Sequence, residues 1–302
     1  KGLVYLRTDM GGAYIWDKAA QRWENITDMF GREEADIPGI LSLAIDPNDT
    51  DKVYMMTGKY TQDWAGKGVF LISKDRGKTY DKVPLEFKVG GNEDGRGAGE
   101  RVAVDPNRGS IIFMGSTKDG LWKSADSGKT WKKVKSFPEK NINFVFFDKN
   151  SGTKGAATPR IFVSAAVNSK SIYKSEDGGA TWKLVPGAPS KLQGLRAEIA
   201  GGELYITFSD YPGPNGATYG LVMKYNIATG AWTDLKVPEG AGGFSGISVD
   251  ARNHKHIVVS TLNRWGGPDD VFRTTDGGKT WEPKLKGAKW DYTDAGYTSH
   301  DN

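Results

Sequence analysis

The 302-residue chain contains no cysteine, which excludes a disulfide framework, a thiolate metal site and a cysteine nucleophile. It has three histidines: His254 and His256 alternate in one strand-like stretch, and His300 lies in the tail. No His/Asp/Glu cluster has the spacing of a metal site, and no G-x-S-x-G nucleophile elbow occurs. Neither a metal nor an organic cofactor is therefore expected. Long apolar runs are lacking too. The longest, Phe144 to Phe147, is the size of a strand and far short of the roughly 18 residues of a membrane span. The first residues, KGLVYLRTD, alternate like a strand and do not read as a signal peptide. An excess of one charge is also missing. Lys and Arg number 41 against 37 Asp and Glu, for a net charge of +4 without a basic run, so neither nucleic acid nor a membrane surface is expected as a partner.

What is present is glycine (40 residues) and aromatic bulk: 10 Trp, 12 Tyr and 12 Phe. That combination reads as a turn-rich, all-β fold with aromatic surface. An internal repeat makes the reading specific. SKDRGKTY from Ser73, SADSGKTW from Ser124, SEDGGATW from Ser175 and TTDGGKTW from Thr274 share the frame Ser/Thr-x-Asp-x-Gly-x-Thr-aromatic. Their starts are 51, 51 and 99 residues apart, and a decayed copy, YNIATGAW from Tyr225, fills the double gap. Another, WDKAAQRW, ends at Trp23. The closing aromatics Trp23, Tyr80, Trp131, Trp182, Trp232 and Trp281 thus recur about every 50 residues.

A second element keeps the same beat: LAIDPND from Leu43, VAVDPNR from Val102 and ISVDARN from Ile247, each a strand followed by an Asp-led turn. One repeat then holds four strands, the content of a propeller blade. The reading is an all-β β-propeller of four-stranded blades with Asp-box hairpins, about six of them in this chain. In SADSGKTW, Asp126 is expected to accept amides of its own turn, and Gly128 to take a positive φ. Ser124 and Thr130 tie the strand ends, and Trp131 plugs between neighbouring sheets. Asp75, Asp126, Asp177 and Asp276 are therefore read as structural. The first and last rungs are incomplete, so the ring either closes irregularly or is closed by strands beyond Asn302; the second reading is favoured, making residues 1–302 an incomplete amino-terminal propeller.

Chemistry is sought where the repeat breaks. RTDMGGAYIWD (Arg7 to Asp17) offers Asp9, either a decayed clip aspartate or a functional one, with Tyr14 and Trp16 beside it. VGGNEDGRGAGERVAVD (Val89 to Asp105) carries Asn92, Glu93, Asp94, Arg96, Glu100 and Arg101. It is either a solvated loop with an internal Arg–Glu pair or the polar wall of a cleft; it lacks the ending of a phosphate loop. Aromatics stand off the ladder in Gly/Pro/Asp-rich loops: Tyr60 and Trp64, Tyr211, Trp265, and Trp290 with Tyr292. Each is either core packing or a flat face for a sugar ring.

RTDMGGAYIWD, ILSLAIDPND, GGNEDGRGAGERVAVDPN, KDGLWKSADSGKTW, YPGPNGATYG and NRWGGPDDVFRTTDGGKTW together resemble the amino-terminal half of glycoside hydrolase family 74, the xyloglucan-cleaving endo-β-1,4-glucanases and related hydrolases. The resemblance runs over nearly all 302 residues. It implies two seven-bladed propellers facing each other across a cleft, and inverting catalysis by two aspartates. It places the general base on Asp9 and leaves the acid to a second propeller that this chain does not hold. It implies plant cell-wall xyloglucan or a related β-glucan as substrate and a secreted, extracellular protein. Tyr14, Tyr60, Trp64, Tyr211, Trp265 and Trp290 are then candidate stacking faces; Asn92, Asp94, Arg96 and Asp119 are candidate polar contacts. Where family members often carry two adjacent tryptophans, Trp265 is followed by Gly266, so one platform is lost. The competing readings are a non-catalytic glycan-binding propeller and, more remotely, a sialidase, whose three converging arginines the pattern does not show.

Overall fold

The computed structural model describes residues 2–167, 169–238, 242–262 and 269–287. Among them, six antiparallel sheets follow one another along the chain. The first has three strands, β1 (Tyr5–Arg7), β2 (Ala13–Asp17) and β3 (Arg22–Asn25), in keeping with an incomplete first rung. The second comprises β4 (Ile40–Asp46), β5 (Asp49–Thr57), β6 (Val69–Ser73) and β7 (Asp81–Pro84). The third comprises β8 (Val102–Val104), β9 (Ile112–Gly115), β10 (Leu121–Ser124) and β11 (Lys132–Lys133). The fourth comprises β12 (Ile142–Phe147), β13 (Ile161–Ala165), β14 (Ile172–Ser175) and β15 (Lys183–Leu184). The fifth comprises β16 (Gln193–Ala200), β17 (Glu203–Ser209), β18 (Gly220–Asn226) and β19 (Trp232–Asp234). The sixth comprises β20 (Phe244–Val249), β21 (Ile257–Thr261), β22 (Val271–Thr274) and β23 (Glu282–Pro283). Strands pair in chain order within every sheet. Helix is confined to two short 3-10 turns at Arg32–Glu34 and Lys149–Ser151. The chain divides into two compact units, Lys1–Gly194 and Leu195–Asn302.

In the first unit the strands serve two cores at once, which explains why they are apolar at nearly every position rather than at alternate ones. Side chains of a strand point to opposite faces in turn. In β5, Val53 and Met55 join a core shared with Ala13 and Ile26 next to the first sheet. Tyr54 and Met56 point the other way, into a core with Val102, Val104, Ile112 and Met114 of the third sheet. In β9, Phe113 lies between those partners and faces the fourth sheet, against Ile142, Val145 and Val163. In the second unit, Tyr205, Val222, Phe244, Val259 and Phe272 form one core between the fifth and sixth sheets. Sheets of one meander stacked face to face on the next are propeller blades.

The clips behave as the repeat predicts, with one addition. The Ser124 hydroxyl donates to Asp126 Oδ1 (2.8 Å) and accepts from the Gly128 amide (2.9 Å). Asp126 accepts the Thr130 amide on Oδ1 (2.9 Å) and the Thr130 hydroxyl on Oδ2 (2.6 Å). The Thr130 hydroxyl is the main reason that Asp126 is pulled down to about 2 from an ordinary 3.8. The Thr79 and Thr181 hydroxyls do the same for Asp75 and Asp177. The addition is that the residue before the glycine also takes a positive φ: 60° at Ser127 and 64° at Arg76, where the later copies place Gly178 and Gly277. The aromatic does plug between sheets. Trp131 meets Phe70 of the second sheet edge-on at 4.8 Å, Trp182 meets Phe113 of the third, and the Tyr80 hydroxyl donates to Ile26 O next to the first. In the second unit, Trp281 Nε1 donates to Leu235 O (2.9 Å). The decayed copies pack on their own sheets: Trp23 on Trp16 and Trp232 on Tyr225.

Candidate functional site

Antiparallel meanders put the Asp-box hairpins at one end of the strands and two other sets of connections at the opposite end. In the first unit that opposite end collects the turns 8–12, 58–68 and 116–120 and the links between sheets, 26–39, 85–101 and 134–141. Backbone hydrogen bonds knit them. Gly12 N donates to Pro38 O, Gly58 N to Gly39 O, Gly91 N to Gly58 O, Asn92 N to Lys59 O and Gly120 N to Lys140 O, all at 2.8–2.9 Å. Glycine is required where these segments meet: a Cβ on Gly91 would sit 2.4 Å from the Gly58 carbonyl oxygen.

Asp9 lies in the β1–β2 turn of this end, outside the clip of its sheet. The clip of the first sheet is instead Asp17 to Trp23, where Asp17 Oδ1 accepts the Ala19 amide (2.8 Å). The turn around Asp9 is closed by Thr8, whose hydroxyl donates to Gly12 O (3.0 Å) and accepts from Gly11 N (2.7 Å). Thr8 thereby leaves the half-exposed Asp9 carboxylate for another partner, and that partner is Arg96, Nε to Oδ2 at 3.0 Å.

The glycine-rich segment 89–105 differs from the solvated-loop expectation. Arg101 is fully buried, with Nε donating to Ile142 O (2.6 Å) and Nη2 to Gly95 O (2.9 Å). Burial of a guanidinium is tolerated because carbonyls take its protons. The pairing of Glu100 is not internal to the loop. Glu100 meets Arg7 Nε at 3.0 Å, and its Oε2 also accepts the Ser42 hydroxyl (2.8 Å) and the Leu43 amide (2.9 Å). Arg7 adds donations to Arg96 O (3.1 Å) and Ala98 O (3.2 Å). Glu93 Oε1 accepts the Thr61 amide (2.7 Å). Arg7, Glu93 and Glu100 are therefore the organising charges of this end. Local spacing could not reveal Arg7–Glu100, since the partners are 93 residues apart.

The other expected site residues fall into three groups. Tyr60, Trp64, Asn92 and Arg96 are brought together with Asp9 on interlocked loops. Asn92 Nδ2 donates to the Tyr60 hydroxyl (2.7 Å), and the Tyr60 ring lies 5.2 Å from that of Trp64. Trp64 is 72 % exposed, an apolar face that no neighbour covers fully. Asp94 is exposed on the same loop as Arg96. The Tyr14 hydroxyl is spent on Gly11 O (3.0 Å), bracing the Asp9 turn. Asp119 occupies the β9–β10 turn, where its amide donates to the Ser116 hydroxyl (2.6 Å). Tyr211 belongs to the second unit, in the β17–β18 loop, which Asp210 closes by accepting the Thr218 amide (2.9 Å). Burial would raise Asp210; the Thr218 hydroxyl and the amides of Thr218 and Tyr219 outweigh it and hold it below its ordinary value. Trp265 and Trp290 lie outside the described residues. Among the described residues no group of three or more His, Asp or Glu side chains is arranged to hold a metal ion.

Fold and repeat define an Asp-box β-propeller, and the BNR/Asp-box repeat model matches residues 272–283. Relatives narrow the class. The xyloglucanase Xgh74A of Acetivibrio thermocellus is 42 % identical over 93 % of this chain, and the oligoxyloglucan-reducing end-specific xyloglucanase of Emericella nidulans is 36 % identical over 93 %. The crystal structure of the GH74 xyloglucanase from Xanthomonas campestris superposes with a TM-score of 0.92 at 37 % identity, covering 98 % of this chain and 45 % of that one. The chain belongs to glycoside hydrolase family 74, as a segment of its propeller architecture. It spans a little over a third of the two curated relatives, 36 % and 38 % of their lengths.

Proposed function

We propose that this chain is the base-bearing propeller of a xyloglucan hydrolase that cleaves the β-1,4-glucan backbone with inversion. The observation that carries the proposal is the position of Asp9: a half-exposed carboxylate in a glycine-flanked turn, on loops interlocked with those that present Trp64 and Tyr60. Asp9 removes a proton from water. The water oxygen attacks the anomeric carbon from the face opposite the leaving sugar, and the glycosidic C–O bond breaks. A second carboxylic acid gives its proton to the departing oxygen. The two carboxyl groups of an inverting glycosidase stand roughly 6.5–9.5 Å apart, leaving room for that water.

The relatives are more than twice as long as this chain, which supports an acid supplied by a second propeller half. A wall polysaccharide as substrate goes with an enzyme that acts outside the cell. Trp64 offers its ring to the apolar face of a glucosyl unit.

The test is hydrolysis of xyloglucan by the enzyme with the full family length, beside its Asp9→Asn variant, with binding followed in parallel. Loss of turnover by at least about a thousandfold with binding retained is expected. An Asp9→Asn enzyme that turns over normally refutes the assignment. The 302-residue chain alone is expected to bind xyloglucan oligosaccharides without cleaving them. Cleavage by it would place the acid within these residues.

A further inference from the structure

We infer that Arg96 is a positioning residue for Asp9 rather than a contact for sugar, and that Arg7 holds Arg96 in place from behind. The inference rests on the reading of Asp9 as the base.

A carboxylate that takes a proton from water must present one oxygen and keep the other occupied. Arg96 Nε forms an ion pair with Oδ2 at 3.0 Å, and Oδ1 is the oxygen we assign to the water. Without that contact, a short side chain in a turn followed by Met10-Gly11-Gly12 would rotate freely about its last bond. The guanidinium is tied to its own loop as well: Nη1 donates to Glu93 O (3.4 Å), and Nε lies in ion-pair range of Asp9. The guanidinium is thus held between the Glu93 carbonyl and the Asp9 carboxylate.

The loop that carries Arg96 is anchored by the same segment that carries Asp9. Arg7, two residues before Asp9, is almost covered, with 12 % of its side chain exposed. It donates to the carbonyls of Arg96 (3.1 Å) and Ala98 (3.2 Å), and its Nε meets both oxygens of Glu100 at 3.0 Å. Glu100 is locked in turn to Ser42 and Leu43 of β4. Segment 7–9 therefore clasps segment 96–100 twice, once at the backbone through Arg7 and once at the side chain through Asp9. Moving either tooth moves the oxygen that meets water. A displacement of about 1 Å at a reacting group is enough to cost about a hundredfold in rate.

The experiment compares Arg96→Met, Arg96→Lys and Arg7→Met in the full-length enzyme on xyloglucan, with Lys74→Met, an exposed ion-pair change in an Asp-box hairpin at the opposite end of the strands, as the control. Arg96→Met is expected to lower kcat by about ten- to a hundredfold with KM within about twofold. Arg96→Lys is expected to recover at least a third of the loss in log units. A rise in KM with kcat unchanged would make Arg96 a substrate contact and overturn the inference. A second readout needs no turnover and separates this inference from the assignment of Asp9 as base. In the 302-residue chain, the side-chain carboxyl 13C resonance of Asp9 should move in Arg96→Met and Arg7→Met and stay put in Lys74→Met. An unmoved resonance in correctly folded Arg96→Met protein overturns the positioning role even if Asp9→Asn is inactive. A moved resonance with a fully active Asp9→Asn enzyme retains the clasp and removes the base.

Discussion

Replacing Gly128 by alanine separates two demands that an Asp-box glycine meets. Its φ of +86° is a backbone state that costs an L-residue about 1–2 kcal/mol. Its missing Cβ also leaves room for the neighbouring sheet, because an added methyl would lie 2.6 Å from Phe70 Cε1 and 3.4 Å from Ile72 Cδ1. Phe70 has no easy way out. It is fully buried, stacked at 6.0 Å on Tyr54 and edge-on at 4.8 Å to Trp131. Overpacking of that kind costs about 1–3 kcal/mol beyond the backbone term. Gly155 provides the internal reference: its φ is +92°, and nothing lies within 4 Å of the Cβ it lacks. Gly155→Ala should therefore show the backbone cost alone, and Gly128→Ala that cost plus the packing cost. For a unit of the size of Lys1–Gly194, 1 kcal/mol moves Tm by about 2–4 °C, so the two variants should differ by about 2–12 °C in calorimetry or dye-monitored melting. Equal shifts would mean that Phe70 moves aside freely and that the clip does not close against its neighbour. Affinity for xyloglucan oligosaccharides should be the same in both well below Tm, since the clips lie at the opposite end of the strands from Asp9.

The clip carboxylates also predict an acid limb in stability. Asp75, Asp126 and Asp177 are held at about 2 in the folded chain against an ordinary 3.8, so their contribution is present above about pH 4 and lost as pH falls from there toward 2. Urea midpoints measured from pH 6 to pH 2.5 should be flat and then fall, and the fall should be shallower in Asp126→Asn. Ser127→Gly relieves a positive φ in a non-glycine residue and should raise stability by up to about 1 kcal/mol, read as a higher urea midpoint; no gain would place the strain elsewhere in the hairpin. Glu100→Gln leaves the nearly covered Arg7 without its counter-charge and should cost about 1–3 kcal/mol, whereas Glu86→Gln, in an exposed pair with Lys67, should cost less than about 0.5. Trp64→Ala should leave Tm unchanged and weaken oligosaccharide binding by about three- to tenfold by calorimetry; full affinity would remove Trp64 from the platform.

The sequence alone determined the architecture, because the architecture is local and repeated. A turn needs its aspartate, its glycine and its hydroxyls within eight residues, and four close copies of that frame, with two decayed ones, mark every sheet. Asp9 was legible as a break in the repeat, but whether it was a worn clip or a functional carboxylate was not. Whether it sits in a clip depends on which end of the strands it occupies, and therefore on the pairing of β1 with β2. Long-range pairing decided the rest. Arg96 forms an ion pair with Asp9, 87 residues away in the chain, which no local spacing could show. Arg7 and Glu100 carried no signal of their own; an arginine at the end of a strand and a glutamate in a glycine-rich run are each commonplace. Nor could spacing show that the Tyr14 hydroxyl donates to Gly11 O or the Asn92 amide to the Tyr60 hydroxyl. Hydrogen-bond partners in a site are chosen by proximity in space, and in a stack of sheets the nearest neighbours across two connections lie tens of residues apart in sequence. Motif spacing therefore announced the blades, and only the tertiary structure could say which charges meet at their ends.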